Sequence, residues 1–522
     1  MSEHGNDDPA MRNVADLVRA AGRTAGDKTA LIDGARSISW SALDAEVDRA
    51  AAAFVGLGLA PGSRVALALG NTLDFPVAYF GVLRAGLVAL PVNPGNTARE
   101  FSHVLDDSGA AVLVAGPTAL DAVESAITDR ADLLVLGAGG ATPVSGRRFE
   151  DLLADQASGQ RPQGEAVGVD DLAVLIYTSG TSGRPRGAML SHRALLADLA
   201  HVSRIEPPPT RADDVVLLVL PLFHIFGLNT GLGMVAAAGA TGVLVDRFDP
   251  AGSAELIRRH AVTSLVGAPP MYVAWSLLPG TGEAFASVRL AVSGAAPLPV
   301  DALQRFRVQT GLRVHEGYGL TETAPSVTST LCSFEPKAGS IGRPVPGVEV
   351  SLVDASGAEV EPDDPGEIRV RGGNLFSGYW PDGREGPDAE GWWCTGDVAV
   401  ADGAGDLTLV DRRRELILVS GFNVYPREVE SVLATHPDVA EVAVLAMPHP
   451  YTGSAVKAIV VPRRESDGTP VPVSTEALLV YAGTYLARFK CPTSIEIVDA
   501  LPYTATGKIA KGQLREASGS PF

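Results

Sequence analysis

Basic residues are scarce in this chain: 42 Lys and Arg face 61 Asp and Glu, for a formal net charge of −19. That balance disfavours a nucleic-acid partner, which needs a concentrated basic face. A small anionic ligand must instead meet a few locally placed cations. Cysteine is scarcer still. Cys332, Cys394 and Cys491 stand far apart with no CxxC spacing, which argues against a disulfide framework and against a cysteine-held metal. The stretch from Met1 to Arg12 lacks the apolar core of a secretory signal, so a soluble, cytoplasmic protein is expected. One run lacks charge altogether: Val215 to Val245 holds no Asp, Glu, Lys or Arg. Pro221, His224, Asn229 and several glycines interrupt it, so buried strand, loop and helix are expected and no integral membrane segment. Internal repeats, coiled-coil heptads and low-complexity tracts are also missing.

What remains is ample apolar material. Of 522 residues, 46% are hydrophobic and 20% charged, as in an ordinary folded protein of several domains. "GSRVALALGNTLDFPVAYFGVLRAGLVALPVN" alternates buried strand, helix and strand, the pattern of parallel sheets covered on both faces. "DLAVLIYTSG" restarts with a buried strand after a Gly/Ala/Pro-rich connection. From Ile341 short strands and turns suggest a β-rich subdomain, and after Asp411 a compact α+β piece follows. The expected fold class is α/β. Two parallel-sheet subdomains and a β-rich subdomain fill residues 1–411, and a small mobile α+β domain fills residues 412–522, with a hinge near Asp411 to Arg414.

The densest chemical signal is "YTSGTSGRPRG", Tyr177 to Gly187, directly after the strand Leu172 to Ile176. Backbone N–H groups at Gly180 and Gly183, with the hydroxyls of Thr178, Ser179, Thr181 and Ser182, can wrap phosphate oxygens, while Arg184 and Arg186 supply charge. A Walker-type loop does not fit, because counting from Gly180 the spacing places Pro185 where its second glycine is required. A dinucleotide fingerprint at Gly231-x-Gly233-x-x-Ala236 follows no strand-tight turn and reads better as helix packing.

This loop resembles the phosphate-binding signature of the adenylate-forming superfamily: acyl-CoA synthetases, adenylation domains and luciferases. Further signatures follow in the family's order: "PLFHIFGL" from Pro221, "SGAAPL" from Ser293, "EGYGLTET" from Glu316 and "WWCTGD" from Trp392. "VDRRRELILVSGFNVYPREVE" from Val410 and "PYTATGKI" from Pro502 complete the set, so the resemblance spans nearly the whole chain. It is most like bacterial fatty acid:CoA ligases. The resemblance implies ATP, Mg2+ and coenzyme A as ligands. Glu322 corresponds to the Mg2+ carboxylate, with Thr178 beside it as a second metal contact, and Thr321 to a hydrogen bond on the α-phosphate. Tyr318 and Gly319, facing Gly294, Ala295 and Ala296, correspond to the adenine site, although a Tyr-Gly pair by itself more often reflects core packing. Asp397 and Arg412 correspond to the ribose contacts, and Arg414 to the pivot between two domain orientations. Lys508 corresponds to the ammonium that bridges carboxylate and α-phosphate, and Gly421 to the passage for the pantetheine arm. Lys511 and Arg413 read as surface charge. The chain departs from the family at Arg186, which stands where lysine is usual, and at Ser182, which keeps the hydroxyl of the usual threonine.

The acid itself is least legible. His224 matches a position at the mouth of the acyl site, with a structural role equally open. "FGLNTGLGM", "GAPPMYVAW" and Gly294 supply small and apolar residues but no acidic partner for an amino group, which favours a fatty acid over an amino acid and leaves an aryl acid open. Free CoA is the simplest acceptor and a separate acyl carrier protein the alternative. Oligomerisation is not encoded in any motif.

Overall fold

The computed structural model describes residues 11–128, 130, 132–144, 146–156, 167–178, 185–412, 417–419, 422–449, 453–465, 468–504 and 508–517. By its contacts the chain divides into two compact units: Met1–Glu349 with Arg371–Trp393, and Val350–Val370 with Cys394–Phe522.

The first unit is built on two sheets. In the seven-stranded one, Gly146–Arg148, Leu134–Gly137, Val112–Ala115, Arg64–Ala68, Val88–Pro91 and Leu172–Thr178 run parallel, and Arg186–Ser191 closes the edge antiparallel. Its central strands are apolar on both faces because helices cover both. Val65 to Ala68 are all buried, and so is every residue from Phe75 to Leu83 in the helix Asp74–Arg84. The helix Ala98–Ser108 starts with a reciprocal cap, Thr97 and Glu100 each satisfying the other's backbone N–H.

The nine-stranded sheet has a parallel centre of Val314–Gly319, Leu290–Ser293, Ser264–Gly267, Val215–Leu218, Thr241–Leu244 and Thr29–Asp33. Antiparallel strands lie at its two edges. Behind it Tyr272, Trp275, Phe285 and Phe306 pack edge-to-face in a fully buried cluster. The uncharged run resolves as expected into strand Val215–Leu218, a π-helical turn Phe226–Gly233, helix Met234–Ala238 and strand Thr241–Leu244. Gly242 in that last strand is closely flanked: a Cβ there would lie 2.7 Å from one methyl of Leu218 and 2.9 Å from one of Leu31, so both side chains would have to shift.

The second unit holds most of a four-stranded sheet of Val348–Val353, Gly366–Gly372, Trp392–Ala401 and Leu407–Arg412. It also holds an α+β body. There Gly453–Pro462 pairs antiparallel with Val439–His449 and parallel with Ser494–Ile497, around a core that includes Ile417, Val429, Leu433, Val444, Val456 and Leu478. Parallel α/β sheets, a β-rich sheet and an α+β C-terminal body are the architecture expected from the sequence. Among the described residues no helix is long and apolar enough to cross a membrane.

Candidate active site

Parallel sheets expose their carboxyl ends as ligand crevices. In the nine-stranded sheet Ser293 and Glu316 are register partners in adjacent parallel strands; the first strand ends there and Gly294–Ala296 leave it, while the second continues through Gly319, paired with Ser326–Ser329, before Leu320–Glu322 leave the sheet. The Gly294 N–H donates to the Gly267 carbonyl at 3.3 Å, and a Cβ on Gly294 would meet the Phe226 ring at 2.9 Å. Ala295 follows in the left-handed region, φ +71°, which turns the chain sharply at the strand end. Of the residues expected at the adenine site, Gly294–Ala296 follow the strand Leu290–Ser293, and Tyr318 and Gly319 end the adjacent strand Val314–Gly319; a Cβ on Gly294 would lie 3.5 Å from the Gly317 carbonyl oxygen. His224 lies on the segment that follows Val215–Leu218, which the strand Ser264–Gly267 separates from Leu290–Ser293. It is half-buried, and its Nδ1 accepts from the Phe226 N–H at 3.4 Å.

Glu322 and Thr321 sit in a 3₁₀ turn, Thr321–Thr323, and both are buried. The chain doubles back here so tightly that a Cβ on Gly319 would fall 1.8 Å from the Pro325 carbonyl oxygen. Three buried side chains brace the return. Asn229 Nδ2 donates to the Ala324 carbonyl at 2.7 Å and to Asp198 Oδ2 at 3.0 Å. Asp198 Oδ1 accepts from the Ser326 N–H at 2.8 Å, and Asn374 Nδ2 donates to the carbonyls of Thr323 at 2.7 Å and Ser326 at 2.9 Å. The Glu322 backbone oxygen accepts from the Phe376 N–H at 2.9 Å, and its side-chain Oε1 accepts from the Tyr379 hydroxyl at 2.6 Å. Burial, then the Glu322 charge, pushes the Tyr379 hydroxyl well up, so it stays a donor.

Asp198 is a second unusual group. Complete burial raises its carboxyl from 3.8 to about 7, against hydrogen bonds from Ser326 and Asn229 that pull it down. The folded state therefore binds more protons than the unfolded chain between those values, and stability is lost as pH rises from about 4 to about 7. The loss is on the order of a few kcal/mol. Urea midpoints of wild type and Asp198→Asn should shift in the variant's favour between pH 5.5 and 8. A gap independent of pH would remove Asp198 as the source.

Thr178 ends the strand Leu172–Thr178 and is the register partner of Arg186. The expectations for Ser179, Gly180, Thr181, Ser182 and Gly183 lie outside the described residues, as do those for Gly421, Arg413 and Arg414. In the second unit Asp397 is buried, and its N–H donates to Thr395 Oγ1 at 3.1 Å. Arg412 is its cross-strand register partner, so the two expected ribose contacts meet on one antiparallel pair. Lys508 is exposed on a tight return: its N–H donates to Thr504 Oγ1 at 3.1 Å, and its carbonyl accepts from the Thr504 N–H at 2.7 Å. Lys511, expected as plain surface charge, is instead 15% exposed and paired with Glu430 at 2.8 Å. The helix Lys511–Ala517 packs that end of the chain against the domain body, with Leu514 in its core. Sequence reading missed Asp198, Asn374 and Tyr379, and took Asn229 only as a breaker of the uncharged run. The one available signal was Asn229, a lone amide in an uncharged run.

Among the described residues no three His, Cys, Asp or Glu side chains cluster as a metal cage. One buried carboxylate steadied by a tyrosine suits a hard cation that takes its other oxygens from phosphate and water, so Glu322 fits Mg2+.

Comparison with known proteins agrees with this geometry. Residues 17–380 match the AMP-binding enzyme family, and residues 428–508 match the AMP-binding enzyme C-terminal domain. A long-chain-fatty-acid–CoA ligase of Yersinia pestis is 36% identical over 525 residues, covering 94% of this chain and 92% of its own length. A feruloyl-CoA synthase of an Amycolatopsis species is 35% identical over 497 residues, covering 94% and 96%. The crystal structure of ATP-bound MatB from Rhodopseudomonas palustris superposes with a TM-score of 0.86 at 32% identity, covering 97% of this chain and 99% of that one. The chain thus belongs to the AMP-binding enzyme family, as an AMP-forming ligase of the acyl-CoA synthetase class.

Proposed function

We propose that the protein activates a medium- or long-chain fatty acid as its acyl-adenylate and then transfers the acyl group to coenzyme A. The observation that supports the reading is the pairing of Ser293 with Glu316, which sets Gly294 against Gly317 just ahead of Tyr318–Glu322. In the first half-reaction a carboxylate oxygen of the acid attacks the α-phosphorus of ATP, the bond to the β-phosphate oxygen breaks, and pyrophosphate leaves. The loop from Thr178 to Arg186 cradles the phosphates with backbone N–H groups, hydroxyls and the guanidinium. Thr321 donates to the α-phosphate, and Tyr318 with Gly319 and Gly294–Ala296 encloses adenine. Asp397 and Arg412 hold the ribose. Glu322 and Thr178 would hold Mg2+, which when bound neutralises phosphate charge. Lys508 places an ammonium between the two reacting anions, the kind of preorganised charge that lowers such a barrier most.

In the second half-reaction the CoA thiolate attacks the acyl carbon, the bond to the phosphate oxygen breaks, and AMP leaves. Gly421 leaves room for the pantetheine arm, on a domain of residues 412–522 that rotates about Asp411–Arg414 relative to residues 1–411. A cytoplasmic location, where ATP and CoA are available, belongs to the same reading. A separate acyl carrier protein is the alternative acceptor. The fatty-acid relative supports an alkyl substrate. The feruloyl-CoA synthase relative supports an aryl acid as second reading. The test is ATP–pyrophosphate exchange over alkyl and aryl acids, followed by thioester detection with CoA. One AMP and one pyrophosphate per thioester are expected, with alkanoates preferred. Stoichiometric ADP would end the adenylation reading, and preference for cinnamate-type acids would transfer it to the aryl class.

A further inference from the structure

The arginine that replaces the family's lysine is already engaged in this structure. Arg186 lays its fork on the Glu385 carboxylate, with Nη1 donating to Oε2 at 3.0 Å and Nη2 to Oε1 at 2.8 Å. The guanidinium carbon lies 3.7 Å from the Tyr379 ring centroid, and the hydroxyl of that ring is the donor to Glu322. A continuous chain of contacts therefore runs from Glu385 through Arg186 and Tyr379 to the carboxylate expected to hold the metal. Glu385 is itself held in an unfavourable backbone conformation, φ +57°, which a residue with a Cβ adopts at a cost. Its carbonyl is tied by the Trp393 indole N–H at 3.0 Å. Surrounding structure thus fixes Glu385 where its carboxylate meets Arg186.

A carboxylate offering two oxygens to a guanidinium presents the same two-point acceptor face as a phosphate. We propose that Glu385 is an internal stand-in for the nucleotide phosphates, parking Arg186 on the Tyr379 ring until ATP displaces the carboxylate and takes over the guanidinium. The inference rests on the reading that Arg186 meets phosphate. The pair is open to water, with side chains 29% and 57% exposed, so it is screened and exchangeable. It also gives arginine a use that lysine would not fill, because an ammonium is a point charge and cannot match both oxygens. Tyr379 stays on Glu322 during the exchange, so only the cation has to move.

The experiment is calorimetric titration of the full-length protein with ATP, with and without Mg2+ and without acid or CoA. It compares wild type, Glu385→Gln, Glu385→Gly, Arg186→Met and the Glu385→Gln/Arg186→Met double variant. Both Glu385 variants should bind ATP about two- to fivefold more tightly, the range an exposed ion pair can withhold. Glycine suits the φ at this position, so it separates loss of the charge from backbone strain. The gain should vanish in the Arg186→Met background, while kcat at saturating ATP is unchanged by Glu385→Gln. Unchanged or weaker binding in both Glu385 variants, with wild-type melting temperatures, overturns the latch. Equal tightening without Arg186 also overturns it, since the effect would then be general repulsion. If the underlying reading fails instead, wild type neither binds ATP nor exchanges pyrophosphate, and the latch falls with it.

Discussion

Lys508→Ala should lower acyl-adenylate formation by about two to three orders of magnitude, the scale for losing one preorganised electrostatic group. Carboxylate and α-phosphate repel each other as they approach, and an ammonium contacting both is worth most where water is excluded. The lysine is exposed on a return closed by backbone contacts to Thr504, so truncating its side chain leaves that return intact. Stability should therefore stay within about 0.5 kcal/mol of wild type. Thioester formation from supplied acyl-adenylate should be nearly unchanged, because the α-phosphate is by then already esterified. The measurement is pyrophosphate exchange beside CoA-ester release from synthetic acyl-adenylate. Equal loss of both half-reactions would refute the assignment of Lys508 to the first step.

Gly421→Leu should give the opposite result: pyrophosphate exchange kept, and thioester formation slowed on the order of a hundredfold, the cost of displacing a reactant by about an ångström. Gly421 lies outside the described residues, between the strands Ile417–Val419 and Phe422–Val424, which pair antiparallel. A glycine at such a point suits close approach by a narrow chain, and a leucine side chain would fill that path. The two variants together separate the uses of residues 412–522. If Gly421→Leu makes thioester at the wild-type rate, the pantetheine passage lies elsewhere, and Arg412 and Lys508 remain as the residues that tie that domain to the chemistry.

Local chemistry made much of this protein legible in its sequence. The strand Leu172–Thr178 ahead of the glycine-rich hydroxyl run was legible because its apolar residues are contiguous, and the phosphate role proposed for that run rests on local composition alone. The split of the uncharged run around Pro221, His224 and Asn229 was legible for the same reason, because breakers act on their own neighbours. Glu322, Asp397 and Lys508 stood out through motif resemblance, which carries the roles without showing what holds the side chains. Only the tertiary structure decided those supports. Tyr379 reaches Glu322 across 57 positions, Asp198 reaches Ser326 across 128, and Arg186 reaches Glu385 across 199. No period or spacing encodes such pairs, because each side chain obeys its own strand, helix or loop and the meeting point depends on how sheets and crossovers close. Burial likewise turns Asp198 into a group titrating near neutrality and Lys511 into half of a shielded pair. In sequence both are ordinary charged residues on amphipathic segments, and their environment exists only once the chain has folded around them.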